Sequence, residues 1–278
     1  MSGFNASWLD VREPADHRSR SEDLAKMLAR HFGRRSTISV LDMGCGTGSN
    51  LRATAPWLGD TQHWTLVDLD PLLLDAAQER LAAWASKAEK RGNQLVLHKG
   101  GKRITVELRR ADLSQDLDRV FLTRPDLVTA SALFDLVSAD FISEIAAEVV
   151  RCRAAFYTVL TYNGQQRWTP KHDADAAMAS AFRAHQTRDK GIGPSAAGPM
   201  APALLSTAFD AAGYTVSEGD SAWRLEAGDE ALIAELAPGF AAAVTETALV
   251  PEETVAAWLK VARTGALVGH TDTLALPA

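Results

Sequence analysis

Val40-Leu41-Asp42-Met43-Gly44-Cys45-Gly46-Thr47-Gly48 is an apolar run carrying one aspartate that passes into a turn with glycine at every second position. The residues before it, from Ile38, extend the apolar run into a buried strand, and residues 50–58 have the pattern of a helix leaving the turn. Glycine lets a ligand approach backbone that no β-carbon obstructs, and a helix N-terminus offers unpaired N–H groups to a polar or anionic ligand. Strand, glycine loop and helix in this order predict a nucleotide-like cofactor site.

The next apolar run, residues 63–68, closes on Asp68, 20 residues beyond Gly48. An acid at the end of the second strand is placed to accept both hydroxyls of a ribose. Ser49 stands where a dinucleotide fingerprint wants Gly or Ala, and the Gly-Lys-Ser/Thr of a phosphate-cradling loop is absent. Both departures count against NAD and ATP and favour a cofactor with a ribose and no phosphate. Pro71 opens a helix whose Leu72, Leu73, Ala76, Ala77 and Leu81 face one side, and Asp70 before it suits the cap. The chain continues to alternate. Runs at 95–97 and 104–108 flank Lys99-Gly100-Gly101-Lys102 as an elaborated third strand with a hairpin turn, 126–131 is strand four, 140–151 a helix, and 154–161 strand five. Such alternation predicts a mostly parallel sheet covered on both faces.

Around this centre, residues 21–32 place Leu24, Met27, Leu28 and Phe32 at helical spacing behind Ser21 or Asp16. Residues 162–199 are polar and rich in Gly and Pro, with a short helix expected at 174–185; they read as a substrate loop or lid. Beyond them come a helix at 200–212, a strand from Tyr214, Ala-rich helices at 229–247 and 251–264, and a last strand near 268–276. We therefore expect one domain with four parts: an N-terminal helical cap (1–36), a cofactor-binding core (37–161), the lid (162–199) and C-terminal helices with the last strands (200–278).

The 278 residues carry a formal charge of −6, the wrong sign for sequence-independent binding to nucleic acid. No apolar stretch approaches the roughly 20 residues that span a bilayer, and two cysteines make no disulfide framework. The chain opens without a charged segment leading into an apolar run, so a cytoplasmic location is expected. The seven histidines show no pairing at metal-ligand spacing, so no metal is expected. Nothing in the sequence sets the oligomeric state.

Four ordered segments, Val40 to Gly48, Leu66-Val67-Asp68-Leu69-Asp70-Pro71, Arg110-Ala111-Asp112-Leu113 and Asp126-Leu127-Val128-Thr129-Ala130-Ser131, resemble those of class I S-adenosylmethionine-dependent methyltransferases. The resemblance spans about residues 36 to 161, and the stretch from 219 to 266 departs from the minimal family fold. It implies a Rossmann-like, doubly wound, mostly parallel seven-stranded sheet with helices on both faces, an N-terminal helix and a helical C-terminal elaboration. It also implies S-adenosylmethionine as cofactor. Gly44, Cys45, Gly46 and Gly48 would wrap its methionine portion, with Asp42 holding loop amides or the amino group. Asp68, beside Leu69, would take the ribose, Asp112, beside Leu113, the adenine amino group, and Ser131 would close the site after strand four.

Methyl transfer from a sulfonium is an in-line displacement, so the protein supplies alignment, dryness and, for a hydroxyl or ammonium acceptor, a base. Phe134 and Asp135 follow strand four where nucleobase-amine methyltransferases carry an Asp/Asn-Pro-Pro-aromatic motif, and both prolines are missing. That leaves a small polar metabolite as the expected acceptor, with oxygen or nitrogen as the atom methylated. A protein side chain as acceptor and a non-catalytic binder of the cofactor are the alternatives. Phe134, Tyr162, Asp189 and Lys190 are the expected acceptor-binding residues. His185 is the first choice as base because histidine is the residue type suited to proton transfer near neutral pH, and Asp135 the second.

Overall fold

The computed structural model describes residues 5–278, so the first four residues of the expected N-terminal cap lie outside it. Strand β1 (Thr37–Met43) lies at the centre because its residues are buried on both faces, the pattern of a strand with parallel neighbours. It pairs in parallel with β2 (Thr61–Asp68) on one side and β6 (Leu127–Ser131) on the other. Next to β2 runs β5 (Lys102–Arg110), and next to β6 runs β7 (Ala155–Thr169), both parallel. The chain therefore winds outward in both directions from β1, and the crevice at the carboxyl ends of β1 and β6 is where ligands bind in folds of this kind.

Both edges are antiparallel. The turn at Gly100-Gly101 forms as expected, but the strand before it, β4 (Gln94–Lys99), is preceded by a second hairpin partner, β3 (Lys87–Arg91), turning at Gly92. Its residues are charged and mostly exposed, so no apolar alternation marks it in the sequence. On the far edge β10 (Gly265–Leu276) pairs with β7, β8 (Thr215–Asp220) and β9 (Trp223–Leu225). Among the described residues the sheet has ten strands, the hairpin strands and the short β9 being additions to the doubly wound centre.

Helices cover both faces. On one side α4 (Pro71–Trp84) packs Leu74 and Leu81 beside Val40, Trp64 and Leu66, together with α2 (Glu22–Phe32) and α3 (Ser49–Thr54). Ser21 caps α2 and Asp70 caps α4 through their side-chain oxygens, whereas Leu72 of the expected apolar face is exposed. On the other side α5 (Leu113–Phe121), α6 (Ala139–Cys152) and α8 (Ala201–Ala211) pack around Leu41, Met43, Val128 and Phe156. Adjacent strand residues such as Val40 and Leu41 thus serve opposite cores. Helices α7 (Asp175–Gln186), α9 (Glu230–Thr247) and α10 (Glu252–Leu259) form an aromatic layer with Trp168, Phe182, Phe240 and Trp258. Among the described residues no helix is long and apolar enough to cross a membrane.

The segment expected as a lid has a different build. Strand β7 runs on through residue 169 against β10, so residues 162–169 belong to the sheet, and α7 occupies 175–186. Residues 170–174 and about 187–197 are irregular, and the longer stretch is held down: Ile192 bridges to Val137, its carbonyl accepts from Ser138 N at 3.0 Å, and Ala197 N donates to the carbonyl of Val137 at 2.7 Å.

Helix α1 (Ala6–Ser19) precedes α2 and lies over the carboxyl ends of the strands. It shows no apolar stripe and contains Pro14; polar bonds hold it instead. Arg52 of α3 pairs with Glu13 at 2.5 Å, His17 Nε2 meets Ser49 Oγ at 2.9 Å, and Arg18 reaches Asp229 at 2.6 Å.

Strand β10 is irregular at Val268/His270 and again at Thr271/Thr273, and between these points Asp272 turns its carboxylate into the structure. Its Oδ1 accepts from Leu160 N and its Oδ2 from Ser21 N, each at 2.8 Å, so one buried side chain satisfies a kink of β7 and the entry to α2. Leaving two buried N–H groups unpaired costs about 1–3 kcal/mol each. Asp272→Ala should lower the thermal midpoint markedly, and Asp272→Asn, which keeps one acceptor oxygen, by less; equal melting of wild type and the alanine variant would show that the bonds are dispensable.

Candidate active site

Two cavities open at the carboxyl ends of the parallel strands and share a wall of Arg12, Ala132 and Leu136. The first, about 240 Å³, is built from the loops after β1, β2, β5 and β6, with Leu9, Arg12 and Asp16 of α1 as its roof.

The loop after β1 is shaped by its glycines. Gly44, Gly46 and Gly48 all have positive φ, at 63°, 52° and 75°. A β-carbon on Gly44 would come within 3.2 Å of Leu133, and one on Gly46 within 3.0 Å of Leu9, so both border the cavity. Gly48 instead backs onto Leu81 of α4, where its missing side chain allows helices to pack; it does not line the cavity. Asp68 fixes the loop: Oδ2 accepts from Gly46 N at 2.8 Å, while Oδ1 accepts from Asp70 N at 3.0 Å. Burial raises its pKa. Asp112 caps α5, with Oδ1 accepting from the N–H and hydroxyl of Ser114 at 2.9 and 2.7 Å, and it faces the same cavity. Leu69, Leu113 and Ser131 complete this side. Cys45 also lines it, but burial pushes its thiol well up, so it stays protonated and is no nucleophile.

Asp42 lies beneath the cavity rather than in it. It is fully buried, and its Oδ1 accepts from Asn50 Nδ2 at 2.6 Å, while Oδ2 has no partner. The Asn50 amide also donates to Thr129 Oγ1 at 3.1 Å, and its oxygen accepts from Arg20 at 2.6 Å. Asn50, which borders the cavity, is thus what Asp42 orients.

The second cavity, about 360 Å³, lies between α1, β7, α7, α9 and β10. Asp135 and Tyr162 face it, together with Gln166, Phe182, Trp223, Phe240 and His270, none of which sequence reasoning singled out. They come from separate elements, so no motif joins them. Burial pushes the Asp135 carboxyl up to about 6, against main-chain N–H groups and the charges of Arg12 and Lys190. Burial and Arg12 hold His270 down at about 3, so it is neutral. Arg12 itself is spoken for: Asp16 takes Nε at 2.9 Å and Nη2 at 3.2 Å, and the guanidinium lies 4.9 Å over the Trp223 ring. Ala132 and Leu160, both in this wall, have positive φ, 52° and 58°, although neither is glycine. Such strain gathers where a site holds backbone in place.

Several expected residues stand elsewhere. Phe134 is fully buried in the core, edge-on to Phe156, and lines neither cavity; the 3₁₀ turn of residues 134–136 sends it to the side opposite Asp135. His185 also lines neither: Nε2 pairs with Glu246 at 3.0 Å and Nδ1 meets Lys190 Nζ at 3.2 Å, leaving no nitrogen for an acceptor. Asp189 turns back to accept from Gly191 N at 2.7 Å. Lys190 borders the first cavity and not the second.

Burial pushes the Asp42 carboxyl up to about 7 from the ordinary 3.8. The folded protein then holds that proton more tightly than the unfolded chain, so this contribution to stability is complete in acid and is lost as pH rises from about 4 to about 7. Asp42→Asn does not titrate. Its melting temperature should gain on wild type between roughly pH 5 and pH 8; a constant difference across that range would refute the burial argument.

A family model described as a methyltransferase domain matches residues 40–155, from β1 to the start of β7. Among solved structures, the chain is similar to a cyclopropane-fatty-acyl-phospholipid synthase-like protein from Lactobacillus casei ATCC 334, with 15% identity over 95% of this chain and 99% of that one and a TM-score of 0.51. It is similar also to an S-adenosylmethionine-dependent methyltransferase from Thiobacillus denitrificans in complex with S-adenosyl-L-homocysteine, with 16% identity over 98% of each chain and a TM-score of 0.44. The stretch matched by the methyltransferase-domain model contains the glycine loop, Asp68, Asp112 and Ser131.

Proposed function

We propose that the chain transfers a methyl group from S-adenosylmethionine in the first cavity to a small acceptor in the second. The observation that carries this reading is the common wall, with the Asp135 side chain lining the acceptor side and its Oδ1 without a hydrogen-bond partner. The first cavity suits an adenosyl sulfonium in shape and chemistry. Gly44 and Gly46 leave room that a β-carbon would fill, Leu69 and Leu113 offer apolar faces to a base, and two carboxylates stand ready for hydroxyl and amino donors. Asp68 takes the ribose hydroxyls and Asp112 the adenine amino group through Oδ2, the oxygen its helix cap leaves over. Lys190, with Asn50 held by Asp42, serves the amino-acid end. The acceptor is small because its cavity is walled by buried side chains, including Tyr162, Trp223, Phe240 and His270.

When bound, the cofactor supplies a methyl carbon already activated by positive sulfur. The protein's part is to align, to exclude water and to take a proton. Asp135 accepts the proton of the acceptor as the acceptor lone pair forms its bond to the methyl carbon and the carbon–sulfur bond breaks, leaving S-adenosylhomocysteine. His185 has no part in this.

Calorimetry should show Asp68→Ala binding S-adenosylhomocysteine roughly tenfold or more weaker than wild type, because a charged acceptor of two hydroxyls is lost. Undiminished binding would rule out the ribose assignment.

Asp135→Asn should retain cofactor binding and lose about 10² to 10⁴ in turnover. The wild-type rate should fall as pH drops through about 6, where Asp135 becomes protonated, and the variant should lack this limb. His185→Ala should keep the wild-type pH profile; loss of the acid limb in that variant would return the role of base to His185.

A further inference from the structure

The second cavity gathers polar atoms that have no partner in the protein. Asp135 Oδ1, Tyr162 OH, Gln166 Oε1 and His270 Nδ1 are each buried and without a hydrogen bond, and all four side chains line this cavity. Asp135, Tyr162 and His270 are more than nine-tenths buried. An unmatched buried polar atom costs about 1–3 kcal/mol, so four in one cavity mark where a ligand's polar groups belong.

Their chemistry sets what the ligand offers. Gln166 Oε1 and an ionised Asp135 only accept, so the ligand brings at least two donors; the Tyr162 hydroxyl and the neutral imidazole of His270 adapt to either role. The charges set its sign. Asp135 and Glu235 are acidic, while Arg12, the cation in the lining, is engaged by Asp16 and by the Trp223 ring. A carboxylate or phosphate would find no free cation there. Flat rings from Trp8, Tyr162, Phe182, Trp223 and Phe240 make up much of the remaining wall, with Leu136, Leu160, Leu236 and Val268 between them, and the cavity has room for two fused rings.

From this juxtaposition we infer that the methyl acceptor is an uncharged aromatic compound with two or more hydroxyl groups, and that the methyl goes to an oxygen facing Asp135. This inference rests on the methyl-transfer reading. One hydroxyl gives its proton to Asp135 as its oxygen bonds to the methyl carbon, and S-adenosylhomocysteine leaves; the second lies between Gln166 and Tyr162 and fixes the orientation.

The full chain, saturated with S-adenosylhomocysteine, is titrated in a calorimeter with 2,3-dihydroxynaphthalene, 2,3-dimethoxynaphthalene and 2-naphthoate. The diol should bind roughly tenfold or more tighter than either of the others. With S-adenosylmethionine it should yield a monomethyl ether by mass spectrometry. Gln166→Leu should weaken the diol and leave the dimethoxy compound unchanged, a selective change that misfolding would not produce. Equal binding of the dimethoxy compound would overturn the donor argument, and equal or tighter binding of the naphthoate the argument from charge. Binding of S-adenosylhomocysteine with none of the three probes would overturn the inference and leave methyl transfer standing. Failure of S-adenosylhomocysteine itself to bind would remove the methyl-transfer reading and this inference with it.

Discussion

A single side chain, Asn50, joins the parts on which the site depends. Its amide donates to Asp42 in β1 and Thr129 in β6, and its oxygen receives Arg20 from the corner between the first two helices. The centre of the sheet, the helix leaving the glycine loop and the N-terminal cap are tied at one buried point. Inside a protein such a network is strong when satisfied and costly when broken. Helix α1 then stays over the strand ends, and its Arg12 stands between the two cavities.

The division of labour between the cavities follows from how each is built. The first uses backbone that must run through positive φ, together with acids at strand ends, so its shape comes from consecutive residues after each strand. The second is assembled at the antiparallel edge, where the irregular strand β10 re-aims His270 and Asp272. Bulges serve that purpose beside sites in many sheets. Ala132 and Leu160 carry backbone strain at the same place, and the bonds from Ala132 N to the Val159 carbonyl and from Leu160 N to Asp272 hold it.

Legibility in the sequence divides along the same line. The glycine loop, Asp68, Asp112 and the alternation of strands and helices are local patterns, and a parallel sheet with a carboxyl-end crevice follows from them. Asp42 was also legible as a special residue, though its work is done through Asn50, a contact eight residues away that no motif names. Helix α1 left no trace because its buried face carries Arg12 and Asp16, and hydrophobic periodicity registers only apolar stripes. Phe134 and His185 show the opposite error. Residue type alone suggested an acceptor wall and a base, but a tight turn points Phe134 into the core, and Glu246 and Lys190 consume His185. Gln166, Trp223 and His270 meet across more than a hundred residues, which only the folded chain brings together.

The long reach of these contacts has a consequence for how the protein is made. Trp223 bonds Asp16 across 207 positions, and Asp272 bonds Ser21 across 251. On the ribosome, the glycine loop and its strands emerge while those partners are still unsynthesised, so the early chain holds an open sheet edge. The helix that roofs the first cavity gains its partner Trp223 long after its bonds to residues 49–52 are available, and contacts of such separation form late and slowly. The Trp223–Asp16 and Asp272–Ser21 bonds therefore form only after β9 and β10 have been made.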